Sequence, residues 1–268
     1  MDDRQLNDAL AFALEAAREA GELTLKYFRS GVAVETKSDE TPVTIADRSA
    51  EELLRKRIEH AFPDHGVLGE EFGEQPGREA TRWIIDPIDG TFSFICGVPL
   101  YSNLIGLEHR GEMVLGVIHL PALGETVFAA RGLGCYLNDR DTPARVSSVC
   151  RLKDARLSAT SVKTIKRYGR YDAYCRLRDA CKADRGWADA YAYALLATGR
   201  VDVVLDPIMS IWDTAALLPV VTEAGGTLTD WSGRPTHTAP EALGTNGHLL
   251  NAVLELVAGD ADDAARGL

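Results

Sequence analysis

The nine residues Trp83-Ile84-Ile85-Asp86-Pro87-Ile88-Asp89-Gly90-Thr91 constrain this chain more than any other stretch. A short apolar strand, Trp83 to Ile85, is expected to stop at Asp86-Pro87 and to deliver two carboxylates three residues apart. Pro87 fixes φ and carries no N–H, which stiffens the turn. Gly90 lets a backbone N–H approach an anion with no Cβ in the way, and Thr91 adds a hydroxyl and a second N–H. Carboxylates suited to a cation beside N–H groups suited to a phosphate make one coherent site. Hard cations such as Mg2+ take oxygen ligands of this kind and keep positions open for water and phosphate. A bare pair of aspartates also satisfies ordinary turn chemistry. The full D-P-I-D-G-T run after an apolar strand is far more specific.

Two further acids gain weight beside it. Glu70 lies in Gly69-Glu70-Glu71-Phe72-Gly73, just after a predicted strand at 66–69. Asp213 lies in Ile211-Trp212-Asp213 and is expected to start a helix that runs to Ala224 and stops at Gly225-Gly226. A solvated loop acid and a helix N-cap are the ordinary readings of these two residues. A helix N-terminus also favours an anion, so Asp213 can cap and ligate together.

Elsewhere, apolar residues at helical spacing predict an amphipathic helix over 4–29. Residues 37–47 read as a loop, with Thr44 opening a second helix through Arg57 in a T-x-x-D capping form. Three strands at 102–109, 112–120 and 124–131 read as an antiparallel meander. Residues 187–199 read as a helix and 201–206 as a strand. Helices and strands mix without strict alternation, which favours an α+β or layered protein over a doubly wound sheet.

Composition narrows the class. A chain of 268 residues buries roughly three quarters of its unfolded surface, so it needs no disulfide or metal to hold a core. The net charge of −11 argues against a dedicated nucleic-acid binder. Five cysteines without C-x-x-C spacing give neither a zinc site nor a disulfide framework. No apolar run approaches the ~20 residues of a membrane helix, and the acidic start, MDDRQLNDAL, is unlike a signal peptide. A cytoplasmic protein with no membrane partner is expected.

Three segments together resemble the inositol monophosphatase superfamily: Glu70-Glu71-Phe72-Gly73, Trp83 through Thr91, and Trp212-Asp213 through Gly226. The resemblance runs from about residue 5 to residue 257. It implies a layered αβαβα sandwich of the inositol monophosphatase and fructose-1,6-bisphosphatase type, within one catalytic domain over 1–268. In that domain, 1–140 would carry the metal and phosphate site, and 141–268 the last metal aspartate and the specificity residues. It assigns metal binding to Glu70, Asp86, the carbonyl of Ile88, Asp89 and Asp213, with two or three Mg2+ per site and Mn2+ as a substitute. Choosing Glu70 over Glu71 rests on this resemblance. It places Thr91 and Glu70 beside an attacking water, Asp47 near that nucleophile, and a loop from Lys37-Ser38-Asp39 to Asp47 in metal or water handling. Gly90 and Thr91 would bind phosphate through backbone N–H groups. A homodimer is implied on the same basis.

For the substrate, the family's specificity position seven residues before the last metal aspartate falls on Asp206, and a second contact falls on Asp189. The stretch Trp187-Ala188-Asp189-Ala190-Tyr191-Ala192-Tyr193 and Asp206-Pro207 resemble the histidinol-phosphate phosphatase branch. Two carboxylates suit a substrate bearing an ammonium and an imidazole. Alternatively, Asp189 faces solvent while Trp187 and the tyrosines pack the core. One departure stands out: that branch commonly carries a basic residue after Gly-Thr, where this chain has Phe92. An inositol 1-phosphate or broad sugar phosphatase of the same superfamily is the nearest rival. An aspartyl-nucleophile phosphatase would need D-x-D rather than D-x-x-D. A binding protein that merely kept the fold would not need all the expected ligands.

Overall fold

The computed structural model describes residues 1–37 and 40–258. Ser38 and Asp39 of the expected loop, and the last ten residues of the expected 1–268 domain, lie outside the described residues. The chain begins with α1 (Asp3–Tyr27), the hairpin β1 (Val34–Thr36) and β2 (Pro42–Thr44), and α2 (Ile45–Ala61). Next come β3 (Gly66–Gly69), β4 (Gly73–Gln75), β5 (Thr81–Asp89), the short α3 (Thr91–Ile95), β6 (Ser102–His109), β7 (Glu112–Leu120), β8 (Glu125–Ala130) and β9 (Gly134–Leu137). Then follow β10 (Arg156–Ala159), α4 (Val162–Arg167), α5 (Tyr171–Ala180), β11 (Ala183–Arg185), α6 (Asp189–Ala197) and β12 (Val203–Asp206). The last elements are α7 (Ile211–Glu223), β13 (Thr227–Thr229), β14 (Ala242–Thr245) and α8 (Leu250–Val257).

Two sheets result, of seven strands (β4-β3-β5-β6-β7-β8-β9) and five (β11-β10-β12-β14-β13). Strand alternation decides what packs where. On the large sheet, Trp83, Ile85, Ile105 and Val117 turn toward the alanine-rich face of α1 and toward α2. Their neighbours Leu104 and Ile118 turn the other way, into a core shared with α6 and α7. Val204, Leu228 and Ala242 of the small sheet close that core from its far side. Val203, Leu205 and Leu243 face outward again, under α5 and α8. The layers are therefore helix, sheet, helix, sheet, helix, as the resemblance implied.

A pair of glycines sets how close α7 lies to the large sheet. Gly106 and Gly116 are direct cross-strand partners on β6 and β7. A Cβ on Gly116 would stand 2.1 Å from the Ala216 carbonyl oxygen, and one on Gly106 3.0 Å from Ala215. Side chains there would hold the helix off, and α7 carries Asp213.

Several local expectations needed revision. β5 does not stop at Asp86: it runs on to Asp89, pairing Asp86 with Leu104 and Asp89 with Ser102 across a slip in register. Three steps on β5 match two on β6, a bulge that accommodates Pro87, which has no N–H to give the ladder. The 37–47 segment is not all loop, because β2 pairs with β1. Thr44 does cap α2, but the helix continues past Arg57 to Ala61. α7 starts at Ile211 with Ser210 as its cap, so Asp213 is the third helical residue. α6 starts at Asp189, leaving Trp187 outside the helix.

Candidate active site

The β5 bulge has a chemical consequence. In a regular strand, residues three apart point to opposite faces. The extra residue brings Asp86 and Asp89 to the same side, where α7 adds Asp213, and the three offer carboxylate oxygens within 4.8 Å of one another. Each is held by its own donors. Asp86 Oδ1 accepts from the Ile88 N–H at 3.0 Å. Asp89 Oδ2 accepts from Ser102 Oγ and from the Ala190 N–H, both at 2.8 Å. Asp213 Oδ2 accepts from the Ser210 N–H at 2.7 Å.

Asp86 and Asp89 are only 2% and 8% exposed. Burial, then the neighbouring carboxylates, pushes both far above the usual carboxylate range. Asp213 is raised to about 7, again chiefly by burial, with Glu70 and Asp189 adding to it. Charges crowded this way hold protons unless a cation offsets them. An all-oxygen donor set of buried carboxylates, beside the Ile88 carbonyl, fits a hard divalent ion.

Glu70 follows β3 and lines the same cleft, whereas Glu71 does not. Lys37 Nζ bridges the two, at 2.8 Å from Glu70 Oε1 and 2.6 Å from Glu71 Oε1. Burial lowers the Lys37 pKa, but the two glutamates together carry it above the ordinary value. Thr91 donates its hydroxyl to the Ile88 carbonyl at 3.1 Å, with Asp47 Oδ1 at 3.5 Å. Asp47 is buried, and its Oδ2 accepts both the Thr44 N–H and hydroxyl. Burial raises its pKa. Gly90 has φ +78°, the left-handed conformation that glycine adopts freely. A Cβ there would meet Asp189 Oδ2 at 2.9 Å, so this glycine also makes room for Asp189.

That contact settles where Asp189 lies: at the cleft, not on the solvent side of α6. Burial raises it to about 6. Asp206 lines the same cleft of about 360 Å³, together with Glu70, the acidic trio, Gly90 and Thr91. Buried Tyr193 donates its hydroxyl to Asp206 Oδ2 at 2.9 Å. Burial, more than this bond, decides the Asp206 pKa and raises it well above the usual range. Phe92, 69% exposed, and Ile208 stand at the same cleft.

Two of these roles escape sequence reading. Tyr193 follows Asp189 by four residues on α6, a helical spacing that could have suggested a shared face. Ser102 has no such signal, because only strand pairing brings it to Asp89. Among the described residues, no helix is long and apolar enough to cross a membrane.

Carboxylates that suit a hard cation line one cleft together with two more acids, Asp189 and Asp206, an arrangement fitted to metal-assisted chemistry on a small anion. The inositol monophosphatase family model matches residues 5–264. The histidinol-phosphatase of Chlorobaculum parvum is 48% identical over 239 residues, 87% of this chain and 90% of that protein. The histidinol-phosphatase of Mycobacterium tuberculosis is 41% identical over 252 residues, covering 92% and 97%. The crystal structure of extragenic suppressor protein suhB from Bartonella henselae superposes with a TM-score of 0.87 at 29% identity, covering 93% of this chain and 98% of that one. The chain belongs to the inositol monophosphatase family. Its activity is accordingly that of a phosphoric monoester hydrolase, in a family that works with metal ions.

Proposed function

We propose that the protein hydrolyses L-histidinol phosphate to L-histidinol and phosphate in a Mg2+-dependent reaction. The observation that carries this reading is the pair Asp189 and Asp206, lining the same cleft as the acidic trio. A phosphate held at the trio leaves its organic half beside two carboxylates. An ammonium and an imidazole pair with them; a neutral polyol does not. The names of the similar histidinol-phosphatases support the same choice.

In this reading Glu70, Asp86, Asp89, Asp213 and the Ile88 carbonyl hold two or three ions, with Mn2+ able to substitute. Magnesium, when bound, supplies positive charge that offsets the phosphate's and acidifies water at the site. Gly90 and Thr91 hold the phosphate through their N–H groups. Thr91 and Glu70 orient the attacking water, and Asp47 stands behind the Thr91 hydroxyl. Asp189 and Asp206 take the cationic half, with Tyr193 fixing the Asp206 carboxylate. Residues 1–268 act as one catalytic domain, with 1–140 holding the metal and phosphate and 141–268 reading the substrate. A cytoplasmic homodimer serving histidine biosynthesis is the setting this function implies.

Phe92 favours a second reading, an inositol 1-phosphate or sugar phosphatase, because it puts an apolar ring where a basic residue is common. Phosphate release from histidinol phosphate and inositol 1-phosphate, each with and without Mg2+, separates the two. Faster turnover of histidinol phosphate is expected, and only with the metal. Preference for inositol 1-phosphate would reject the substrate, and full activity after chelation would reject the metal.

A further inference from the structure

One carboxylate near the site takes no part in the reading above. Glu51 lies one turn beyond Asp47 on α2, so both face the same way. Its side chain is 0% exposed. A buried glutamate is costly unless every oxygen is satisfied, and here each one is. Glu51 Oε2 accepts the Glu71 N–H at 2.7 Å, and Oε1 accepts the Phe72 N–H at 3.1 Å. Arg55, four residues on, donates its Nε to the same Oε1 at 2.8 Å. Arg55 also reaches past Glu51 to the Gly73 carbonyl. Gly69 completes the pocket: a Cβ there would stand 2.2 Å from Glu51 Oε1.

These contacts clasp the turn 69–73 from beneath. The Glu71 N–H belongs to the peptide unit that also contains the Glu70 carbonyl, so bonding it fixes the backbone on the C-terminal side of Glu70. The Gly69 contact fixes the N-terminal side. Glu70 itself points the other way, into the cleft. We propose that Glu51 is a positioning residue for the metal centre: through the 69–73 turn it sets where Glu70 presents its carboxylate. α2 then serves both sides of the proposed chemistry. Asp47 reaches Thr91, and Glu51, one turn later, holds the backbone of Glu70. This inference rests on the Mg2+-dependent reading.

The test is Glu51→Gln, which keeps the shape but turns an NH2 toward one of the two N–H groups. Partners that orient metal ligands are commonly worth 10–100-fold in metal affinity. The Mg2+ half-saturation for phosphate release should therefore rise at least about tenfold, with kcat at saturating Mg2+ within about threefold of wild type. Mn2+ binding to the metal-free protein, followed by electron paramagnetic resonance, should weaken by the same factor without any turnover. Unchanged Mn2+ affinity with a lowered melting temperature would overturn the proposal, because a purely structural role predicts that. If Glu51→Gln fails to fold, Gly69→Ala displaces the carboxylate from its other side. The same loss of Mn2+ affinity is expected there, and normal affinity would overturn the proposal equally. A wild-type enzyme active without metal would instead reject the Mg2+-dependent reading.

Discussion

At the scale of single residues, the acidic trio is a balance between desolvation and use. Asp89 is the clearest case, a buried carboxylate held by Ser102 and the Ala190 N–H and pressed by Asp189 and Asp213. Asparagine in its place keeps an oxygen for those donors and removes the charge that burial penalises. Asp89→Asn should therefore fold, with a metal-free melting temperature equal to or above wild type. It should also lose metal-dependent phosphate release by about 10³-fold or more. Near wild-type release from a folded Asp89→Asn would reject the site. Tyr193 shows a quieter effect: a tyrosine in the core of α6 is also the donor that fixes a cleft carboxylate, Asp206.

At the scale of elements, two features bring the acids together: the bulge in β5 and the close approach of α7. The second depends on Gly106 and above all on Gly116, where a methyl group would strike the backbone of α7 at Ala216 rather than the end of a flexible side chain. Relief requires a shift of α7 or of β7. Overpacking of this kind costs about 1–3 kcal/mol. Gly116→Ala should lose that much in urea unfolding, even though alanine is the better residue for ordinary strand entropy. Because α7 carries Asp213, the same variant should need more Mg2+ for half-maximal activity. Unchanged stability would mean that the helix is not held as close as the geometry shows.

At the scale of the whole molecule, the buried acids make stability depend on pH and metal together. Asp213 stands at about 7 in the folded protein, against an ordinary value of 3.8. Between those values the folded state keeps a proton that the unfolded chain releases. Its contribution to stability is full below about pH 4 and is lost as the pH rises through about 7. His119 runs in the opposite sense: burial lowers it to about 4, so its share is lost as the pH falls from about 6.5 through 4. His119 lies outside the cleft, so the difference between melts with and without Mg2+ isolates the acidic cluster. That difference should be larger near pH 8 than near pH 5, since protons compete with the cation. Equal Mg2+ shifts at both pH values in differential scanning calorimetry would contradict the assignment.

How much of this was legible in the chain divides along a physical line. Local chemistry was readable: the apolar approach to Asp86, the Thr44 cap, the helix of 4–29 and the glycine stop after α7 all depend on neighbours a few residues away. The family motifs made the layered fold legible too, because they keep the order and spacing of one architecture. The sequence by itself could therefore name the acids and the chemistry they suit. It could not place them. D-x-x-D on a regular strand would split Asp86 from Asp89, and only strand pairing with β6 supplies the bulge that unites them. Ser102, Tyr193 and Glu51 owe their roles to partners 13, 13 and 20 residues away, reached across sheets and helices. Contacts of that kind are properties of packing, and no local pattern records them. The four acids were determined by sequence; that Asp86, Asp89 and Asp213 meet as one mutually raised cluster, with Glu70 lining the same cleft, was decided by tertiary structure.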